Sequence, residues 1–208
     1  AAAVEFESLA IRVLDSNVYP PSSIDLSPSP ESGFVEMGWT RPSIGDYQVY
    51  DNENNPSNAV TFDVFRDDVE ILSNLDGTNM QDDDLDYNQS YIYRVKAESV
   101  VGSIYSGNYN VLTKPGTPYF ESHSTGYDEV DLSWVDPEGT GSSENILYTI
   151  QRVWDVWGDG DYYTYTDNIV SNYELSDFTD TGLLNTTLYS YKIKASNSSG
   201  SSTYEELY

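Results

Sequence analysis

The chain has no cysteine and a single histidine, His123. Thiolate zinc sites, iron–sulfur clusters and cysteine nucleophiles are therefore excluded, and so are disulfides. Serine triads and multi-histidine metal centres lack the imidazoles they need. Basic residues are scarce: 9 against 35 acidic ones, for a net charge of −26. Phosphate backbones and anionic lipid surfaces repel such a chain, which argues against nucleic-acid binding and peripheral membrane binding. No apolar run approaches the ~18 residues of a membrane-spanning helix, so no membrane insertion is expected. No glycine-rich phosphate loop occurs, and no segment carries a helical period.

What the chain does have is tyrosine and alternation. Nineteen of its 208 residues are Tyr, a residue suited to a sheet face that packs on one side and meets water at its hydroxyl. Val35, Met37 and Trp39 alternate with polar or small residues, as do Val130, Leu132 and Trp134. The same holds for Tyr91, Tyr93, Val95 and Ala97, and for Tyr189, Tyr191, Ile193 and Ala195. A two-residue period with one apolar face predicts strands lying on a core, separated here by Gly, Asn, Asp, Ser and Pro.

These runs occur twice. Trp39 recurs as Trp134 and Tyr91 as Tyr189, at a spacing of about 97 residues, the size of a domain rather than of a solenoid unit. Phe62, Val64 and Arg66 recur as Tyr148, Ile150 and Arg152, and Gly102 recurs as Gly200. The expected organisation is a segment 1–18, a first domain 19–115 and a second domain 116–208, with a short join carrying Pro115 and Pro118.

The first copy reads Pro20-Pro21, Trp39, Phe62-Asp63-Val64, Leu85, Tyr91-Ile92-Tyr93-Arg94-Val95-Lys96-Ala97 and Gly102-Ser103. The second reads Pro118, Trp134, Tyr148-Thr149-Ile150, Leu183, Tyr189-Ser190-Tyr191-Lys192-Ile193-Lys194-Ala195 and Gly200-Ser201. This pattern resembles the fibronectin type III module over about residues 19–208. The resemblance implies an all-β chain of two consecutive fibronectin type III-like, seven-stranded Greek-key sandwiches. It implies core positions for Trp39 and Trp134. It gives Tyr91 and Tyr189 the part of a tyrosine corner, whose hydroxyl bonds backbone upstream. The first copy departs from the pattern by an insertion between Trp39 and Val60, in which Tyr47-Gln48-Val49-Tyr50 has the makings of a short extra strand.

Candidate sites are few. Trp154, Trp157, Tyr162 and Tyr163 fall in a stretch that reads as a hairpin with a Gly-Asp turn. They serve either to cover the sandwich edge or to contact a protein or a sugar ring. Tyr47 and Tyr50 of the insertion are the other candidate contacts. Val4, Phe6, Leu9, Ile11 and Val13 give the segment 1–18 a strand-like pattern, fitting either a tail, the end of an upstream domain, or an arm that adds a strand to a neighbouring subunit. Asp82, Asp83, Asp84 and Asp86, and Asp155, Asp159 and Asp161, offer oxygen ligands that would suit calcium but do not follow the EF-hand spacing; no cofactor is expected. Arg94, Lys96, Lys192 and Lys194 sit at matched outward positions, as for cross-strand pairing with acids. Three Asn-x-Ser/Thr triplets, at Asn88, Asn185 and Asn197, are no more than chance supplies.

No catalytic residue is assigned, and the chain is not expected to be an enzyme. Tandem modules of the resembled family are structural, adhesive or spacer units. The expected role is a structural protein of a virion decoration, filament or cell surface, extracellular, with protein partners that include copies of itself. The alternative is a carbohydrate-binding or spacer module of a secreted polysaccharide-degrading enzyme, with glycans as the ligand.

Overall fold

The computed structural model describes residues 24–42, 49–50, 56–57, 60–99 and 102–208. The segment 1–18, with Val4, Phe6, Leu9, Ile11 and Val13, lies outside the described residues, as does Tyr47. All described regular structure is β-strand.

The first repeat runs β1 (Leu26–Pro30), β2 (Val35–Trp39), β3 (Val49–Tyr50), β4 (Pro56–Ser57), β5 (Val60–Arg66), β6 (Val69–Leu75), β7 (Asn79–Asp82), β8 (Ser90–Ser99), β9 (Gly102–Tyr105) and β10 (Tyr109–Leu112). One sheet has the order β1-β2-β7; the other has β10-β8-β5-β6, with β9 also on β8. Two prolines in β1 are tolerated because it is an edge strand, where a missing N–H breaks no ladder. The short strand anticipated in the insertion is β3, which pairs with β4 through Val49–Ser57 and Tyr50–Pro56.

The second repeat runs β11 (Tyr119–Thr125), β12 (Glu129–Val135), β13 (Leu147–Gly158), β14 (Asp161–Tyr173), β15 (Asp177–Thr181), β16 (Tyr189–Asn197), β17 (Gly200–Ser201) and β18 (Glu205–Leu207). Its sheets are ordered β11-β12-β15 and β14-β13-β16-β17, with β18 also on β16. Leu132 and Trp134 of the first sheet pack with Tyr148, Ile150, Tyr191, Ile193 and Ala195 of the second to form a buried core. The Trp134 ring meets Tyr148 edge-on at 5.3 Å between centroids, the arrangement that aromatic quadrupoles favour. Trp39 meets Phe62 in the same way at 5.6 Å.

The β5–β6 and β13–β14 hairpins both turn through two left-handed residues: Asp67 and Asp68 with φ of 50° and 64°, Asp159 and Gly160 with φ of 50° and 87°. Positive φ at both central positions is the type I′ turn, whose twist matches that of the flanking strands. The arms differ. β5 and β6 have 7 residues each, whereas β13 and β14 have 12 and 13.

By compactness the chain divides into two units, one taking its described residues from Ala1–Leu26, Trp39–Thr78 and Arg94–Asn108 and the other consisting of Ser27–Gly38, Asn79–Tyr93 and Tyr109–Tyr208. Within the second unit, buried Asn88 collects hydrogen bonds from three directions. Its Nδ2 donates to the carbonyls of Gly141 (3.0 Å) and Glu144 (2.8 Å), and its Oδ1 accepts from Asn197 Nδ2 (2.9 Å). That Nδ2 of Asn197 also donates to the Thr113 carbonyl at 2.9 Å. Asn88 is 1% exposed and has φ of 50°, a conformation asparagine accepts more readily than most residues.

Candidate functional site

The β13–β14 ribbon has two faces of different character. Trp154 lies opposite Tyr165 and Val156 opposite Tyr163, while Asp155 lies opposite Thr164 and Trp157 opposite Tyr162. β16 pairs with β13 only as far as Trp154, opposite Tyr189. Beyond that point the ribbon continues with β16 no longer alongside. Alternation along a strand puts Tyr148, Ile150, Arg152, Trp154 and Val156 on the face that begins in the core, and Asp155 and Trp157 on the other.

The core-side face is tied down. Arg152 Nη1 reaches both oxygens of Asp180, at 3.1 and 3.2 Å, and Tyr191 donates its hydroxyl to Asp180 Oδ2 at 2.9 Å. Asp180 is only 6% exposed, so this two-oxygen contact and the phenol replace the water a carboxylate would otherwise hold. The same guanidinium lies over the rings of Trp154 (5.3 Å) and Tyr189 (5.6 Å), and Tyr165 stacks on Trp154 at 5.6 Å and 18°. Trp154 is thus half-buried and covered by its neighbours. Burial, and then the hydrogen bond to Asp180, push the Tyr191 hydroxyl well above the ordinary phenol range. Burial, with Asp136 beside it, does the same to Tyr148.

The far end is open. Trp157 is 61% and Tyr162 67% exposed; they meet edge-on at 4.8 Å on the face away from the core. Tyr163 and Val156 are exposed on the opposite face. A ribbon anchored by Arg152 thus carries solvent-facing aromatics at its tip. Of the other candidates, Tyr50 is placed in β3.

Several of the acidic candidates have local duties. Asp82 accepts from the Tyr93 hydroxyl at 2.6 Å, Asp83 from Gln81 at 2.6 Å, and Asp155 from Thr164 at 2.7 Å. Among the described residues no three carboxylate or imidazole groups converge as metal ligands would. The matched basic residues engage neighbours: Arg94 with Asp68 (3.3 Å), Lys96 with Asp63 (3.2 Å) and Glu98, and Lys192 with Glu206 (2.5 Å). Lys194 instead sits over the Tyr204 ring at 5.1 Å. His123 is exposed on β11.

Residues that alternation does not single out hold the site. Arg152 was visible only as a repeat of Arg66, and Tyr165 only as the last aromatic of the hairpin stretch, with nothing to say that it covers Trp154. Asn88 and Asn197 gave no signal beyond a chance triplet, because a side chain that saturates itself across distant loops leaves no periodicity.

The strand orders repeat between the two halves, three strands in one sheet and the same four-strand path in the other. In each half a tyrosine hydroxyl, Tyr91 or Tyr189, accepts the backbone N–H five residues upstream, from Asp86 (3.0 Å) or Leu184 (3.2 Å). That is the tyrosine-corner geometry. Both repeats have the fibronectin type III fold. No protein-family model and no curated protein matches this sequence. Among solved structures, a two-module fibronectin type III segment of chicken tenascin is similar at 17% identity and a TM-score of 0.47, covering 90% of this chain and 97% of that one. The FN1–FN3 domains of chicken CNTN1 are similar at 16% identity and a TM-score of 0.39, covering 92% of this chain and 66% of that one.

Proposed function

We propose that this chain of tandem fibronectin type III modules is a non-catalytic structural or adhesive subunit of an extracellular surface assembly, such as a virion decoration, a filament or a cell-surface protein. The observation that carries this reading is the exposed Trp157–Tyr162 pair at the tip of an anchored ribbon. Exposed aromatics on a stiff support are what a protein contact uses, since little side-chain entropy is lost on docking. The acidic surface supports a life among other proteins rather than on nucleic acid or lipid. In this reading residues 19–115 and 116–208 are the two modules, and Val4, Phe6, Leu9, Ile11 and Val13 form an arm that adds a strand to a neighbouring subunit.

The test is sedimentation of the source-derived species, followed by reconstitution with a chain carrying Trp157→Ala and Tyr162→Ala and with one lacking residues 1–18. The expected result is a large native species from which both altered chains are excluded. A native species no larger than the free chain would refute the assembly. Binding to soluble glycans that disappears with Trp157→Ala would instead make the ribbon a carbohydrate contact of a secreted enzyme's accessory module.

A further inference from the structure

β14 is the end strand of its sheet, and all eight residues Asp161–Asn168 are exposed. This run keeps a constant register with β13; the irregularities come only beyond it. It contains no Lys, Arg or Pro; of the charged side chains that usually make an edge unattractive to another strand it carries Asp161 and Asp167, the latter 3.6 Å from Arg152 of its own chain. The type I′ turn makes Gly158 and Asp161 the first hydrogen-bonded pair, so the odd-numbered residues of β14 bond back to β13. The backbone groups of Tyr162, Thr164, Thr166 and Asn168 therefore face outward. The Tyr162 N–H is taken by Asp161 Oδ1 at 2.8 Å, which leaves Thr164, Thr166 and Asn168 as a ready ladder.

We infer that β14 pairs antiparallel with β14 of a second copy of this chain, about a two-fold axis at Thr166. The acidic residues select the register. An axis at Tyr163 sets Asp167 against Asp159 of the second copy, one at Thr164 sets Asp161 against Asp167, and one at Asp167 sets that residue against itself. Like charges directly opposite oppose pairing. An axis at Tyr165 or Thr166 avoids every such clash, and only the axis at Thr166 uses all three free backbone groups. In that register Thr166 faces Thr166, Thr164 faces Asn168, and Tyr165 faces Asp167 of the second copy. The Thr166–Thr166 and Thr164–Asn168 pairs lie on one face of the joined sheet and the Tyr165–Asp167 pairs on the other, and each matches a donor to an acceptor. The inference requires neither the arm nor an outside partner, so it stands or falls separately from the function proposed above.

The experiment is sedimentation equilibrium of the full chain at roughly 0.5 M NaCl, where a Debye length of a few Å screens the repulsion between two acidic copies. Thr166→Pro removes the central outward N–H but spares the bonds to β13, because proline is tolerated where an edge strand's N–H faces solvent. Thr166→Asp sets a carboxylate against its own image, and its exposed position lets the chain fold. The expected result is twice the chain mass for the wild type and for the chain lacking residues 1–18, falling to the single-chain mass for both Thr166 variants. A monomeric wild type at about 100 μM would overturn the inference. So would a dimer that survives both Thr166 variants, or one that is lost when residues 1–18 are removed.

Discussion

Replacing Asn88 by alanine tests whether its polar cluster holds the second unit together. The substitution removes the side-chain bonds to Gly141, Glu144 and Asn197, each worth about 1 kcal/mol net. It also leaves two carbonyls and one amide short of a partner in a site that is 1% exposed. Alanine at φ of 50° adds about 1 kcal/mol of backbone strain. The expected loss is ~3–5 kcal/mol in urea unfolding, followed by fluorescence and far-ultraviolet circular dichroism. Glycine at the same position loses the same bonds without the strain, so Asn88→Gly should be the milder change by about 1 kcal/mol. Aspartate keeps the acceptor for Asn197 but turns a carboxylate toward the carbonyls of Gly141 and Glu144, and should be no better than alanine. A loss under ~1 kcal/mol for Asn88→Ala would show that water takes over these bonds, and the argument from burial would fail.

Arg152→Met should cost ~3 kcal/mol or more, because it strips the cation from buried Asp180; thermal unfolding checks this, and an unchanged midpoint would refute the anchor. Trp157→Ala should shift stability by no more than ~0.5 kcal/mol, since the ring is mostly in water, while reducing partner capture. At high pH, burial and then the neighbouring carboxylates hold Tyr148 and Tyr191 protonated above the ordinary value of 10. A raised folded-state pKa means that this stability is fully present below pH ~10 and is lost as pH climbs through the folded values. Absorbance titration at 295 nm should therefore show at least these tyrosines ionising only as the chain unfolds. Chelation is expected to leave the melting temperature unchanged; a drop on adding chelator that calcium reverses would restore the acidic loops as ligands.

Much of the fold was legible in the sequence because a sheet with one buried face writes its period directly into the chain. Val35, Met37 and Trp39, and Tyr93, Val95 and Ala97, are buried where alternation places them. Repetition then doubled the signal. The hairpin was legible from turn chemistry, although its turn is Asp159-Gly160 and not the Gly-Asp pair expected, and which of its aromatics face water was not legible. Trp154 and Trp157 read alike in sequence, and they differ because β16 stops at Trp154 and because Arg152 and Tyr165 cover that ring alone. The Asn88 cluster was illegible for a different reason. It joins residues about fifty and a hundred positions apart, and no local pattern records a contact of that span.

The Asn88 cluster also bears on how this chain can be made. Asn88-Gln89-Ser90 and Asn197-Ser198-Ser199 are both acceptor triplets for N-linked sugar, and the sugar attaches through Nδ2. In the folded chain both Nδ2 atoms are already committed to internal carbonyl and amide oxygens. Asn185, in an exposed loop, carries no such commitment among its described contacts. A secretory eukaryotic host sets up a race: a glycan transferred to Asn88 before the loops close occupies the atom that closes them. Production in bacteria, or in a secretory host as Ser90→Ala and Ser199→Ala, takes the transferase out of that race.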